Sequence, residues 1–291
     1  MGNFLAGIIV YRPDKSLSNL VNALIEQKVD IVLFINEGNS FSDEIIINKK
    51  LDYISPGFNV GVSKGLNSII KKFLDSNYDF LFTFDQDSMI TNNFVKNIVN
   101  VFVRARNIDK NIIFCAPVVL DIKFKENNRL ENFSNNKSSD FQYIDFAITS
   151  GSLFIKSSFE KIGLMNKLLF IDGVDTDWCE RAILLKYKLI KANNVFLNHK
   201  IGSKYINFFG IKKSYHDQNL RVYYIMRNSI FLLIYGQNTY RWKSSELLRT
   251  LIRLVAYPFL STTKLKTLFF IFLAFKDGIF KRMGKMNYID H

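Results

Sequence analysis

Two carboxylates, Asp85 and Asp87, close the run Asp79-Phe80-Leu81-Phe82-Thr83-Phe84-Asp85-Gln86-Asp87-Ser88. A buried strand wants no charge, so both are expected just past its carboxyl end, the edge where open α/β sheets bind ligands. Two hard oxygen donors flanking one residue can hold a divalent cation, and such a cation usually brings phosphate with it. Asp-x-Asp also arises simply as a turn cap.

Three other groups could do chemistry. In Asp172-Gly173-Val174-Asp175-Thr176-Asp177-Trp178-Cys179-Glu180-Arg181, Asp177 and Arg181 would share a helix face and pair. That leaves Asp175 at the helix entrance, free to cap it or to act as a general base. Trp178 can stack on a sugar or fill core. His199 follows the apolar stretch 195–197. A lone histidine is more often structural, but a cation held by two carboxylates can recruit it, Mn²⁺ more naturally than Mg²⁺. His216 and His291 have no comparable setting. Asn59-Val60-Gly61, with Asn67 further on, suits a tight turn at a helix N-terminus, which either is a plain cap or presents free amides to a diphosphate.

The elements that must position these groups alternate. Apolar strands are expected at 4–10, 31–35, 80–84, 112–119 and 143–149, with amphipathic helices at 16–27, 63–74 and 94–103 and a helical turn at 157–162. This rhythm predicts a mainly parallel sheet flanked by helices. Its polar exits after Val10, Ile35 and Phe84 would fall along one edge. The polar segment 123–140 reads as an exposed loop.

The chain has 291 residues, 48% of them hydrophobic, with 28 Phe. That composition supports a large filled core and excludes a disordered chain. Cys115 and Cys179 have no metal-like spacing and suit reduced thiols in a cytoplasmic protein. The start, Met1-Gly2-Asn3-Phe4-Leu5-Ala6, lacks the basic opening of a signal peptide. No apolar run reaches the roughly 18 residues of a membrane span.

The net charge of +13 is concentrated at one end. Residues 200–291 carry 16 basic and four acidic side chains, a net of +12, against +1 for the first 199. A basic surface implies an anionic partner: nucleic acid, phospholipid headgroups or a phosphorylated substrate. The near-neutral body and phenylalanine-rich tail argue against a non-enzymatic nucleic-acid-binding protein. Residues 264–282 mix Leu268, Phe269, Phe270, Ile271, Phe272, Leu273 and Phe275 with Lys264, Lys266, Lys276, Lys281 and Arg282. They suit a helix lying in a membrane interface, or one packed on the domain or in a homo-oligomer.

As an ordered set, several motifs carry a family resemblance: Val10-Tyr11-Arg12-Pro13, Asn59-x-Gly61 with Asn67, Phe84-Asp85-Gln86-Asp87-Ser88 and Thr149-Ser150-Gly151-Ser152. It continues through Phe170-Ile171-Asp172 to Arg181, His199-x-Ile201-Gly202, and Tyr223-Tyr224 with Arg227-Asn228. The chain resembles the inverting family-2 glycosyltransferases of the GT-A fold, and within them the bacterial rhamnosyltransferase-like branch.

That resemblance implies a Rossmann-like catalytic domain over 1–212 and a helical, basic amphipathic region over 213–291. It implies that Asp87 and His199 bind a divalent cation, Mg²⁺ or Mn²⁺, and that Asp175 is the catalytic base. Tyr11, Asn36, Asn59, Gly61, Asn67, Asp85 and Gln86 would serve the nucleotide sugar, and Ser150, Gly151 and Trp178 the acceptor side. The implied reaction moves L-rhamnose from dTDP-rhamnose to a hydroxyl of a lipid-linked surface glycan of O-antigen or capsule type, on a polyprenyl diphosphate at the inner membrane face. UDP-galactofuranose and UDP-glucose are the alternative donors. The family usually has Asp-Asn-x-Ser after the second strand; here Asn36-Glu37-Gly38-Asn39-Ser40 stands instead, which leaves the nucleotide open.

Overall fold

The computed structural model describes residues 2–37, 51–121, 139–199, 204–208, 211–215 and 218–286; for 204–208 and 211–215 it describes only the strands. The parallel block consists of β1 (Phe4–Val10), β2 (Asp30–Ile35), β3 (Leu51–Ile54) and β4 (Phe80–Asp85). Beyond β4 the sheet is mixed. Strand β8 (Ser152–Phe154) runs antiparallel between β4 and β6 (Ile112–Asp121), and β6 is parallel to β9 (Lys188–His199). The short β5 (Met89–Ile90) and β7 (Phe141–Ile144) both pair antiparallel with β9. The order is β3-β2-β1-β4-β8-β6-β9-β5, with β7 also on β9. A hairpin of β10 (Lys204–Phe208) and β11 (Ile211–Tyr215) stands apart.

Alternation along β1 shows why helices cover both faces. Ala6, Ile8 and Val10 join a core with α1 (Lys15–Glu26) and α3 (Phe94–Ile108). Leu5 and Ile9 face the opposite core, built with α2 (Val62–Leu74), α4 (Lys156–Ile162) and α5 (Val174–Leu184). A strand buried on both faces reads as one apolar run. Gly7 lets α2 sit close, since a Cβ there would lie 2.2 Å from Ile69 Cγ2. A third core joins Phe170 to α6 (Asn219–Tyr235) and α8 (Lys264–Ile279), with α7 (Tyr240–Leu260) between them in the chain.

Register sets the edge. Val10 pairs with Ile35 and Ile9 with Asp85, so the exits of β1, β2 and β4 are level, as the sequence predicts. Asp121 pairs with His199, which brings the end of β9 to an exit of the same sheet. One expected strand is displaced: β7 ends at Ile144, and 145–149 leave the ladder until Ser150 bridges Thr83. The loop expected at 123–140 lies mostly outside the described residues, as do Gly38, Asn39, Ser40, Ile201, Gly202, His216 and His291.

Candidate active site

Asp85 is the last residue of β4, Asp87 lies in the turn after it, and His199 ends β9. Their ligand atoms lie within 4.8 Å of one another. His199 Nε2 is 3.6 Å from Asp85 Oδ2, and its Nδ1 is 3.3 Å from Asp87 Oδ1. That Nδ1 is buried without the alignment of a hydrogen bond, a situation a cation between imidazole and carboxylate would relieve. Burial works against the imidazolium, but Asp87 and then Asp85 outweigh it and raise the His199 pKa. Desolvation raises the Asp85 pKa, with His199 pulling it down and Asp87 pushing it up. Two carboxylates and one imidazole fit a divalent cation, which makes Asp85 a candidate ligand alongside Asp87 and His199.

The turn carrying the two aspartates is held from below. Ser150 Oγ accepts the Asp85 amide at 3.1 Å and lies 2.6 Å from Ser88 Oγ. The Gly151 amide donates to Thr83 O at 2.7 Å. Ser150 is 1% exposed, and a Cβ on Gly151 would meet Leu197 and Pro117. Ser150 and Gly151 therefore support the turn from inside the fold rather than reaching an acceptor, which corrects the role the resemblance implied.

Gln86 connects that turn to β1. Its Oε1 accepts the Tyr11 amide at 2.7 Å, and its Nε2 donates to Tyr11 O and Arg12 O. Asn36 Oδ1 accepts the Val60 amide and Asn59 Oδ1 the Gly61 amide. The Asn67 side-chain amide makes two bonds to the Met165 backbone. Gln86 and Asn67 spend both ends of their side-chain amides on loop backbone, which corrects the nucleotide-binding expectation for those two, whereas Asn36 and Asn59 commit only Oδ1 in these bonds. Tyr11 remains 40% exposed at the edge, beside an Arg12–Glu37 ion pair of 3.2 Å.

Gly61 adopts φ 89°, and a Cβ there would lie 2.5 Å from Phe170 O. Only glycine combines that conformation with that approach. The contact matters because Phe170 O also accepts the Val62 amide at 2.7 Å, so the start of α2 anchors the loop leading to the third acid.

That acid is Asp175, in the first turn of α5. Asp177 pairs with Arg181 at 2.9 Å, as the i,i+4 spacing predicts, and Asp175 is left unspent by that pair. Desolvation, then the Asp85 charge, pushes the Asp175 pKa up to about 7, against hydrogen bonding to Thr149. A carboxylate titrating near neutrality beside a metal-competent cluster is suited to proton abstraction. Trp178 does not line the site. It is 1% exposed, packs among Phe114, Phe154 and Phe159, and donates Nε1–H to Gly163 O at 3.0 Å. Core filling wins over sugar stacking there.

Sequence reasoning missed Arg221 and gave Asn228 no role. Arg221 Nη2 donates to Asp172 Oδ1 at 2.7 Å, and its Nε lies 2.7 Å from Oδ2 without the alignment of a hydrogen bond, an ion pair on a residue held at φ 65°. Asn228 Nδ2 donates to Ile171 O at 2.7 Å and Asp172 O at 2.8 Å. Arg227, fully buried, donates to Asn228 Oδ1 and Gly284 O and stacks on Tyr223 and Tyr224. Nothing local to residue 221 or 228 points to a loop some 50 residues earlier.

Known proteins extend this geometry. A Shigella flexneri protein described as dTDP-rhamnosyl transferase RfbF is 30% identical over 242 residues, covering 79% of this chain and 80% of the relative. S. aureus TarS 1–349 in complex with UDP-GlcNAc superposes with a TM-score of 0.59 at 14% identity, over 96% of this chain and 81% of that one. GalNAc-T7 with UDP, GalNAc and Mn²⁺ gives 0.54 at 12% identity over 70% of this chain, which spans 46% of that structure's length. No family model matches the chain. The two structures share its fold, and the Shigella relative carries the closer kinship. The chain is a glycosyltransferase and belongs to the rhamnosyltransferase-like branch of the family-2 glycosyltransferases, with the GT-A fold.

Proposed function

We propose that this enzyme transfers L-rhamnose from dTDP-rhamnose, with inversion, to a hydroxyl of a lipid-linked surface glycan. The donor comes from the relative's name and the ordered motifs. The observation that carries the chemistry is Asp175, raised toward neutrality and close enough to Asp85 to feel its charge.

In this reading the acceptor hydroxyl attacks the anomeric carbon on the face opposite the diphosphate. Asp175 takes the hydroxyl proton as the new C–O bond forms and the bond to the diphosphate oxygen breaks. With one carboxylate serving as base and none assigned as nucleophile, a single displacement inverts the centre. Asp85, Asp87 and His199 would hold Mn²⁺ or Mg²⁺, which supplies neutralisation of charge on the departing diphosphate. Ser150 and Gln86 keep the aspartate turn and the β1 loop in register while the donor is bound.

Incubating the enzyme with dTDP-rhamnose, UDP-galactofuranose and UDP-glucose, each with and without Mn²⁺, tests the reading. Cation-dependent thermal stabilisation and sugar release should be largest for dTDP-rhamnose. A clear preference for either UDP donor would reassign the substrate and leave the site intact.

A further inference from the structure

Helices α7 and α8 carry an apolar surface that the fold leaves uncovered. On α7, Leu247, Leu251, Val255 and Phe259 recur every four residues beside Leu248 and Ile252, and Val255 and Phe259 are 73% and 79% exposed. On α8, Leu265, Leu268, Phe269 and Phe272 form a second exposed stripe. The opposite side of each helix is committed: Glu246 and Thr250 of α7, and Phe270, Ile271 and Ala274 of α8, are buried. The expected helix at 264–282 is therefore apolar on both sides, and the larger stripe lies on α7.

Charge says what covers this surface. Between 240 and 286 the acids are Glu246 and Asp277, and both are 5% exposed. Glu246 is held by Arg249 and Arg253, and Asp277 accepts the Tyr223 hydroxyl. The same span exposes Lys264, Lys266, Lys281, Arg282 and Lys285, while Arg241 pairs with Asp145. In a two-fold dimer through these stripes, the positive rims would meet with no acid between them. An anionic lipid surface takes up both the apolar stripes and the cations. No helix among the described residues is long and apolar enough to cross a membrane, so the contact lies in the interface plane.

We infer that the α7–α8 face docks on an anionic bilayer, with α7 the principal inserting helix. The inner side of α7 places Arg253 close enough to act on Asp172, so the docked helix also backs the loop that leads to Asp175. The inference stands on α7 and α8 and not on the transferase reading; vesicle binding and donor binding fail separately.

Flotation of the full chain with vesicles of phosphatidylcholine alone, or mixed with phosphatidylglycerol, tests it. Wild-type protein should float with the anionic vesicles and detach as salt rises. Val255→Glu with Phe259→Glu should abolish flotation at an unchanged melting temperature, because both side chains are exposed. Lys264→Gln and Lys266→Gln should each weaken partitioning about fivefold. Flotation unaffected by the Val255/Phe259 change, or absent in wild type, would overturn the inference. So would a wild-type dimer in light scattering that this change splits while vesicles are ignored.

Discussion

Ser150 Oγ accepts the backbone amide of Asp85 at 3.1 Å, from a position almost without solvent contact. The hydroxyl thus fixes the aspartate turn without touching a ligand. Ser150→Ala should cost about 1–3 kcal/mol of stability, because it strands Ser88 Oγ and the Asp85 amide in the interior. Mn²⁺ affinity should fall with it, while the pH dependence of turnover stays put. Chemical denaturation and calorimetry check both.

Asp175→Asn should lower kcat by about 10²–10⁴, the usual contribution of a positioned base. Donor affinity should change little, because Asp87 and His199 are untouched. Single-turnover assays alongside donor titration separate the two; full activity in the variant would remove Asp175 from its role.

The raised Asp175 pKa has consequences for both turnover and stability. The base works ionised, so kcat/KM should climb with pH and level off above about 7. The folded chain retains the Asp175 proton between roughly pH 4 and 7, where the unfolded chain releases it. Its contribution to stability is therefore fullest below about 4 and is lost as pH rises toward 7. In cation-free buffer, melting temperature against pH should show that slope in wild type and lose it in Asp175→Asn.

Asp87→Ala and His199→Ala should each abolish the difference between donor binding measured with and without Mn²⁺. Isothermal titration with dTDP-rhamnose reads this directly. Cation-dependent binding that survives both changes would place the metal elsewhere.

Much of this was legible in the sequence, and the division has a physical cause. Strands buried on both faces and helices with one apolar stripe announce themselves locally, so β1, β4, α2 and the pairing of Asp177 with Arg181 were accessible. Asp85, Asp87 and His199 were also within reach as polar groups closing apolar runs, and Asp175 as the acid left over once Asp177 pairs with Arg181. What stayed hidden was the use of polar side chains by distant backbone. Gln86 and Asn67 look like ligand contacts in sequence, yet each is consumed by main-chain partners that only the folded register brings near. Trp178 failed in the same way, because an aromatic suited to a sugar is equally suited to a core.

Asn228→Ala should lower kcat more than it raises the donor KM, because it frees the carbonyls of Ile171 and Asp172 ahead of the base and leaves the Asp87 turn alone. A stability loss of about 1–3 kcal/mol should accompany it. Comparing steady-state parameters with the denaturation midpoint checks the split.

The grip of Asn228 on residues 171 and 172 also bears on how such enzymes can be recombined. Exchanging C-terminal regions between relatives is an obvious way to send one donor specificity to a new acceptor surface. A junction between β11 and α6 would give the recipient a foreign clamp on its own 171–172 loop. Chimeras joined after Tyr235 would keep the clamp native and exchange only α7, α8 and the residues C-terminal to them.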